Sequence, residues 1–524
     1  MIMNIRAILL TAAMLAATTV SAQQTHGYSN PVIKGFYPDP SVCRVGEDYY
    51  LVNSSFVYWP GVPIFHSRDL IHWQQIGNCL DRPSQLKVAE QPHWGGIYAP
   101  TIRHHDGTFY MITTNTSDRG NFLVYTDDPS GSWSDPVWLE QGGIDPSLYF
   151  EDGVCYMVSN PEDGISLCTI DPKTGEQLTP SRVIWRGTGG RYPEAPHIYK
   201  HNGWYYLLIS EGGTEFGHSV TIARSRSIDG EYEVNPDNPI LTHFKQAGQN
   251  SPIQGVGHAD FVEAHDGSWW LVCLAFRIQG GQHHLLGRET FLAPVEWNDE
   301  GWPVVNGNGM VSLMMDVPTL TQVPMPQLPE IEEFNGTEIG MEWLRLREPQ
   351  FENYRLNGGR LILTPTETTL DEQASPTFIA RRQQDIFFEA TTALSLFDAS
   401  QGDRAGVSVY MDPGAHYDLY IERGAKGCYV VLSYRLGAIE HKVGMVKLKK
   451  NCATLRVEGS DYMYSFSYSE NGKDFMPLGS MDTKYLSSET NGGFTGVVLG
   501  LYATKASAAS RATAEVEYFE YKGR

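Results

Sequence analysis

Along the first three hundred residues one hydrophobic pattern recurs: a turn carrying Gly beside an acid or amide, then an unbroken aromatic and aliphatic run. It reads GEDYYLV at 46–52, DGTFYMI at 106–112, DGVCYMV at 152–158, NGWYYLL at 202–208 and DGSWWLV at 266–272. Aligned on Tyr50, Tyr110, Tyr156, Tyr206 and Trp270, the copies stand 46 to 64 residues apart, the size of a propeller blade. A second element lies eleven or twelve residues before each aromatic: DPSV from Asp39, APTI from Ala99, DPSL from Asp145, EAPHI from Glu194 and HADFV from His258. Each begins the strand that leads into the Gly turn, at an equivalent place in its blade. Strand-like units at 64–73, 122–133, 220–232 and 287–297 follow and supply outer strands.

This predicts an all-β chain opening with a five-bladed β-propeller over residues 23–322. Innermost strands surround a propeller axis, so Asp39, Asp145, Glu194 and His258 are expected to converge there. The proline-rich stretch VPMPQLP at 323–329 reads as a linker. From 330 to 524 the texture changes to period-two strands such as AGVSVYM, YDLYIER and CYVVLSY, the mark of a β-sandwich.

Composition supports this reading and narrows the function. Aromatics make up 12% of the 524 residues, beside 52 glycines and 30 prolines, which suits short strands and tight turns. A formal charge of -22 argues against nucleic acid and against charge-driven membrane binding, and favours a neutral substrate. Residues 1–22 carry Arg6, an apolar run and the tail Val20-Ser21-Ala22, the layout of a secretory signal peptide cleaved after Ala22. Export to the periplasm, or beyond the cell, is therefore expected, with no membrane span. Seven scattered cysteines without a CxxC pair read mainly as buried free thiols.

Asp before Pro commonly opens a turn, so Asp39 or Asp145 alone would be structural. Acids at the matching position of three blades point instead to a shared polar site. Cleaving an acetal between sugars needs a proton for the leaving oxygen and a nucleophile at the anomeric carbon, tasks that two carboxyl groups divide.

At these motifs the chain resembles glycoside hydrolase family 43, in its two-domain α-L-arabinofuranosidase and β-xylosidase branch. NPVIKGFYPDPSVCRVGEDYYLVNSSF, GGIDPSLYFEDG and RYPEAPHIYKHNGWYYLLISEGGT carry the resemblance, in the family's order. It implies an inverting mechanism with Asp39 as general base, Glu194 as general acid, and Asp145 orienting that acid and raising its pKa. Arg288, in LLGRET, resembles an arginine that binds sugar hydroxyls, and His258 takes an axial place where relatives hold calcium or water. No cofactor is required, and a structural calcium beside His258 is left open. Phe56 and Tyr98 match pocket positions, Tyr98 standing where related xylosidases carry Trp. Phe494, in GGFTGVVLG, resembles a rim residue supplied by the sandwich. The implied activity is exo-acting release of a terminal pentose from hemicellulose oligosaccharides, α-L-arabinofuranose ahead of β-D-xylose. The alternatives are a xylan 1,4-β-xylosidase or bifunctional enzyme, an endo-arabinanase, and a sugar-binding propeller without catalysis.

Overall fold

The computed structural model describes residues 27–524 apart from 89–90, 162–163, 246–247 and 317–318, so the expected signal peptide lies outside the described residues. Strands dominate; among the described residues the α-helix is a four-residue turn, Ser488–Asn491.

Five antiparallel sheets follow one another along the chain. Their first three strands are Ser41–Val45, Asp48–Val52 and Gly61–Ser67; Thr101–His105, Thr108–Asn115 and Gly120–Thr126; Ser147–Glu151, Val154–Ser159 and Ile165–Ile170; Glu194–His201, Trp204–Glu211 and Ser219–Ser225; and Ile253–Glu263, Trp269–Arg277 and Glu289–Trp297. In each sheet these strands pair in chain order, and a further strand closes the outer edge. The first strands of successive sheets touch, and that of the fifth touches that of the first, which closes a ring around an axis.

Turn chemistry accounts for the recurring hairpins. Asp106-Gly107, Asp152-Gly153 and Asn202-Gly203 are two-residue turns with positive φ at both positions. That conformation matches strand twist and is open chiefly to Gly, Asn and Asp. The second strands bury almost every residue, as in Thr108–Asn115 and Trp269–Arg277, because neighbouring sheets cover both faces. This is why the sequence shows continuous apolar runs there and not alternation.

The ring is also fastened across its ends. Gly27–Ser29 pairs antiparallel with Met314–Asp316. The Asn30 amide donates to Leu292 O at 2.9 Å and accepts from Leu292 N at 2.9 Å, as an extra backbone partner would.

From Ile331 onward the chain forms two facing sheets. One has the spatial order Thr377–Arg382, Val498–Thr504, Arg404–Asp412, Ala415–Gly424, Gly427–Leu436 and Ile439–Lys447; the other centres on Thr513–Gly523, Phe388–Phe397, Cys452–Gly459 and Met463–Ser469. Leu394, Val407, Leu419, Leu455, Phe466, Leu499 and Val516 fill the space between them. The outer face of the first sheet is buried too. Phe378, Tyr410, Tyr420 and Tyr502 pack there against Phe36, Phe56, Val57 and Tyr58 of the ring, and Arg345–Leu346 pairs with Tyr58–Trp59. An apolar interface of this kind makes the two domains one unit, with the sandwich lying beside the mouth of the ring. All seven cysteines are free, and only Cys452 is not fully buried.

Candidate active site

Each acid sits at the corner where the chain enters the first strand of a sheet. Asp39, Asp145, Ala195 and His258 adopt left-handed backbone, with φ of 54°, 51°, 53° and 46°. Non-glycine residues rarely do so, and such strain collects where surrounding structure needs a side chain aimed in one direction. These four, and not Glu194, occupy the equivalent place. Glu194 stands one residue earlier than expected from the repeat. The physical reason is a β-bulge: Glu194 pairs with Ser210 and His197 with Leu208, so one extra residue is accommodated on the first strand and Glu194 is re-aimed.

Asp39 is buried and held by three groups. Arg288 Nη1 donates to Oδ1 at 2.7 Å, with Nη2 3.4 Å from Oδ2. The Ser54 hydroxyl donates to Oδ2 at 2.5 Å, and His258 Nδ1 lies 3.7 Å from Oδ1. Burial by itself would raise the pKa of Asp39. The charges of Arg288 and His258 and the Ser54 hydrogen bond outweigh it and hold the carboxyl below its usual value. Asp39 is thus an ionised carboxylate with lone pairs left over, since each oxygen can accept twice. His258 itself is pushed down, chiefly by burial, against the pull of Asp39 and Glu194.

Asp145 has the opposite character. Burial first, then the charges of Glu194 and Asp39, push its carboxyl well above the usual range. Ala195 N donates to its Oδ2 at 3.2 Å, which ties Asp145 to the residue beside Glu194. Glu194 keeps its side chain 15% exposed, and His218 Nε2 lies 3.2 Å from Oε1. Gly257 leaves room for that imidazole, because a Cβ there would stand 2.3 Å from the His218 ring. One ionised carboxylate, Asp39, therefore faces a second carboxyl, Asp145, whose charge the site disfavours, with Glu194 beside it, a set of acids that can divide the tasks of acetal hydrolysis.

Rings and the sandwich domain complete the rim. Phe56 packs on Tyr98 with centroids 5.5 Å apart and on Phe494 at 6.4 Å. The Arg288 guanidinium lies 5.7 Å from the Phe56 and Phe494 rings alike. Phe494 is carried on a loop buttoned to the segment before Arg288. Glu489 accepts from His284 N at 3.1 Å and meets His284 Nδ1 at 2.6 Å, and Val497 N donates to Leu285 O at 2.8 Å. The backbones touch at Gly496, where a Cβ would stand 2.6 Å from Gly287 N.

Comparison with known proteins decides which lineage built this site. The model of glycosyl hydrolases family 43 matches residues 28–303, and that of the β-xylosidase C-terminal concanavalin A-like domain matches 331–522. The chain belongs to glycosyl hydrolase family 43. It is 38% identical over 529 residues to a non-reducing end α-L-arabinofuranosidase of Bacteroides ovatus, covering 99% of this chain and 98% of the relative. A xylosidase/arabinosidase of Butyrivibrio fibrisolvens is 37% identical over 94% of this chain and 98% of its own. The solved structure of the Bacteroides ovatus xyloglucan PUL GH43B superposes with a TM-score of 0.92 at 37% identity, over 95% of this chain and all of that one. The protein is thus a family 43 glycosidase, an all-β propeller enzyme with a concanavalin-like second domain.

The family 43 core contains functional neighbours that the sequence reading did not name. Thr214 accepts from Arg288 Nη1 at 3.0 Å, and Ser54 and His218 hold the acids as described. Deeper on the axis, two residues past each corner, lies a buried network. Asp260 accepts from Ser41 Oγ at 2.6 Å, from Tyr199 Oη at 2.5 Å and from Arg103 Nη1 at 2.8 Å, while Arg103 Nη2 meets His197 Nδ1 at 2.9 Å. Burial would raise Asp260, but Arg103 and His197 bring it down to about 2, and burial takes His197 down to about 3. A signal for this layer was present, since Ser41, Thr101, Ser147, His197 and Asp260 share one position of the repeat. Among the described residues no group of three or more His, Cys, Asp or Glu side chains gathers to hold a metal ion.

The opposed pKa shifts make a stability prediction. Asp39, lowered in the fold, stabilises above its unfolded pKa and loses that contribution as pH falls through its folded value. Asp145, raised in the fold, stabilises fully below its unfolded pKa and loses that contribution as pH rises through its folded value. Toward higher pH the buried Asp145 carboxyl is therefore an increasing burden, and Asp145→Asn raises the melting temperature at pH 7.5 by about 2 °C. The gain shrinks in a thermal scan at pH 5. A gain independent of pH would show that the Asp145 carboxyl is not the cause.

Proposed function

We propose that this enzyme is an exo-acting, inverting glycosidase that removes a terminal non-reducing pentose from hemicellulose oligosaccharides, with α-L-arabinofuranose as the preferred sugar. The observation that carries the reading is the pairing of a clamped, ionised Asp39 with the protonatable Asp145 and Glu194. Asp39 removes a proton from water as it attacks the anomeric carbon, and Glu194 protonates the leaving oxygen. Asp145 accepts from the Ala195 amide and so fixes the backbone that aims Glu194. Arg288 keeps Asp39 ionised and offers its remaining N–H groups to sugar hydroxyls, with Thr214 beside it. Phe56 and Tyr98 present apolar faces to the sugar, and Phe494 limits the pocket at one end, which suits attack on chain ends.

The preference for arabinose rests on Tyr98 and on the likeness to the Bacteroides ovatus arabinofuranosidase. Relatives named for xylosidase activity, among them a xylan β-1,4-xylosidase of solved structure, support release of β-linked xylose as the second reading. The leader-like residues 1–22 support export, with the periplasm as the site of action. Aryl α-L-arabinofuranoside and aryl β-D-xyloside separate the readings. The expected result is faster hydrolysis of the arabinofuranoside, with inversion seen by proton NMR and only monosaccharide released from arabinoxylan, arabinan and xyloglucan fragments. Binding without hydrolysis of either would overturn the enzyme reading, and long oligosaccharide products would overturn exo action.

A further inference from the structure

Beside Glu194 the rim displays a ring in strained backbone. Tyr192 is 65% exposed and has φ of 53°. Bulky side chains rarely adopt that region, and an aromatic surface is normally withdrawn from water. The segment is nonetheless fixed on both sides. Gly190 N donates to Glu211 Oε1 at 2.9 Å, Gly212 N donates to Arg191 O at 2.7 Å, and Asn160 Nδ2 donates to Pro193 O at 3.0 Å. The Arg191 guanidinium lies 5.4 Å from the ring centroid and donates from Nη2 to Gly212 O at 2.8 Å. Gly213 gives the ring its place, since a Cβ there would stand 3.2 Å from Tyr192 Cδ2. The next residue is Thr214, the partner of Arg288 at Asp39. Tyr192 is thus held at the edge of the site and presented to solvent.

Its position relative to the chemistry assigns the ligand. Tyr192 stands two positions before Glu194, at most about 7 Å of chain away. In the inverting reading, base and acid flank the anomeric carbon, and the acid must face the leaving oxygen. The rim next to the acid therefore faces the leaving sugar, while Phe56, Tyr98 and Phe494 gather around Arg288 and Asp39. We propose that Tyr192 is the stacking platform for the first sugar on the leaving side of the scissile bond, a neutral hemicellulose pyranose that lays its C–H face on the ring. The proposal rests on Glu194 being the acid. Strained backbone here keeps the platform in place before substrate arrives, so little ordering is needed on binding.

The test compares two substrates that share the released pentose and differ in the leaving group, a methyl pentoside and a pentosyl-pyranose disaccharide. Tyr192→Asn removes the ring and tolerates left-handed backbone. It is expected to lower kcat/KM on the disaccharide by about five- to tenfold, mainly through KM, the scale of one aromatic contact. On the methyl pentoside kcat/KM stays within about twofold, and Tyr192→Phe and Tyr192→Trp keep the disaccharide rate. An equal loss on both substrates would mean that the residue acts only by shaping Glu194, and an unchanged disaccharide rate would mean that no sugar rests there. Either overturns the proposal. Failure of the functional reading has its own signature, no hydrolysis of either substrate by the unaltered enzyme, and takes the platform with it.

Discussion

Asp39→Asn leaves turnover about three to four orders of magnitude below that of the unaltered enzyme on every glycoside, activated or natural. The amide keeps the shape of the carboxyl, its oxygen can still accept from Arg288 and its NH2 can donate to the Ser54 hydroxyl oxygen, so the corner retains its left-handed backbone. What it cannot do is take a proton from water. An activated leaving group does not help, because water must still be deprotonated in the step that breaks the bond. Steady-state rates on a dinitrophenyl pentoside and on an oligosaccharide check this, with circular dichroism to show the fold intact. Retention of a tenth of the activity on the activated substrate would remove Asp39 from the role of base.

Glu194→Ala produces a split in place of a uniform loss. On oligosaccharides the rate falls by about two to four orders of magnitude, the contribution of a positioned general acid. On a dinitrophenyl pentoside the loss is less than about tenfold, because a weakly basic leaving oxygen departs with little protonation. The alkaline limb of the pH profile also changes on the natural substrate, since the group that must stay protonated is gone. Equal losses on the two substrates would argue that Glu194 positions something else. His218, 3.2 Å from Oε1, offers a graded companion: its removal weakens natural substrates more than activated ones.

How much of this was readable in the chain differs from residue to residue. The hairpin turns were legible because Asp-Gly and Asn-Gly carry their own conformational preference. The convergence of Asp39, Asp145 and His258 followed from repeat alignment, and the structure gives all three the same left-handed corner. Glu194 was found by motif but misplaced by one residue, because a bulge adds a residue to a strand without altering its apolar pattern. Phe494 was legible only through family resemblance. Its loop reaches Arg288 by packing against His284, Leu285 and Gly287, about two hundred residues away in sequence, and no local signal reports such a contact.

By itself, the sequence determined the all-β class, the repeated blades, the second β domain and the identities of the three acids. These depend on local turn chemistry, on apolar periodicity and on the order of motifs. Only the tertiary structure decided their unequal electrostatics. Asp39 is held ionised because Arg288, 249 positions away, donates to it, whereas Asp145 is raised because burial and two other acids surround it without such a partner. Charge acts through space, and the ring is what turns residues distant along the chain into neighbours a few ångströms apart.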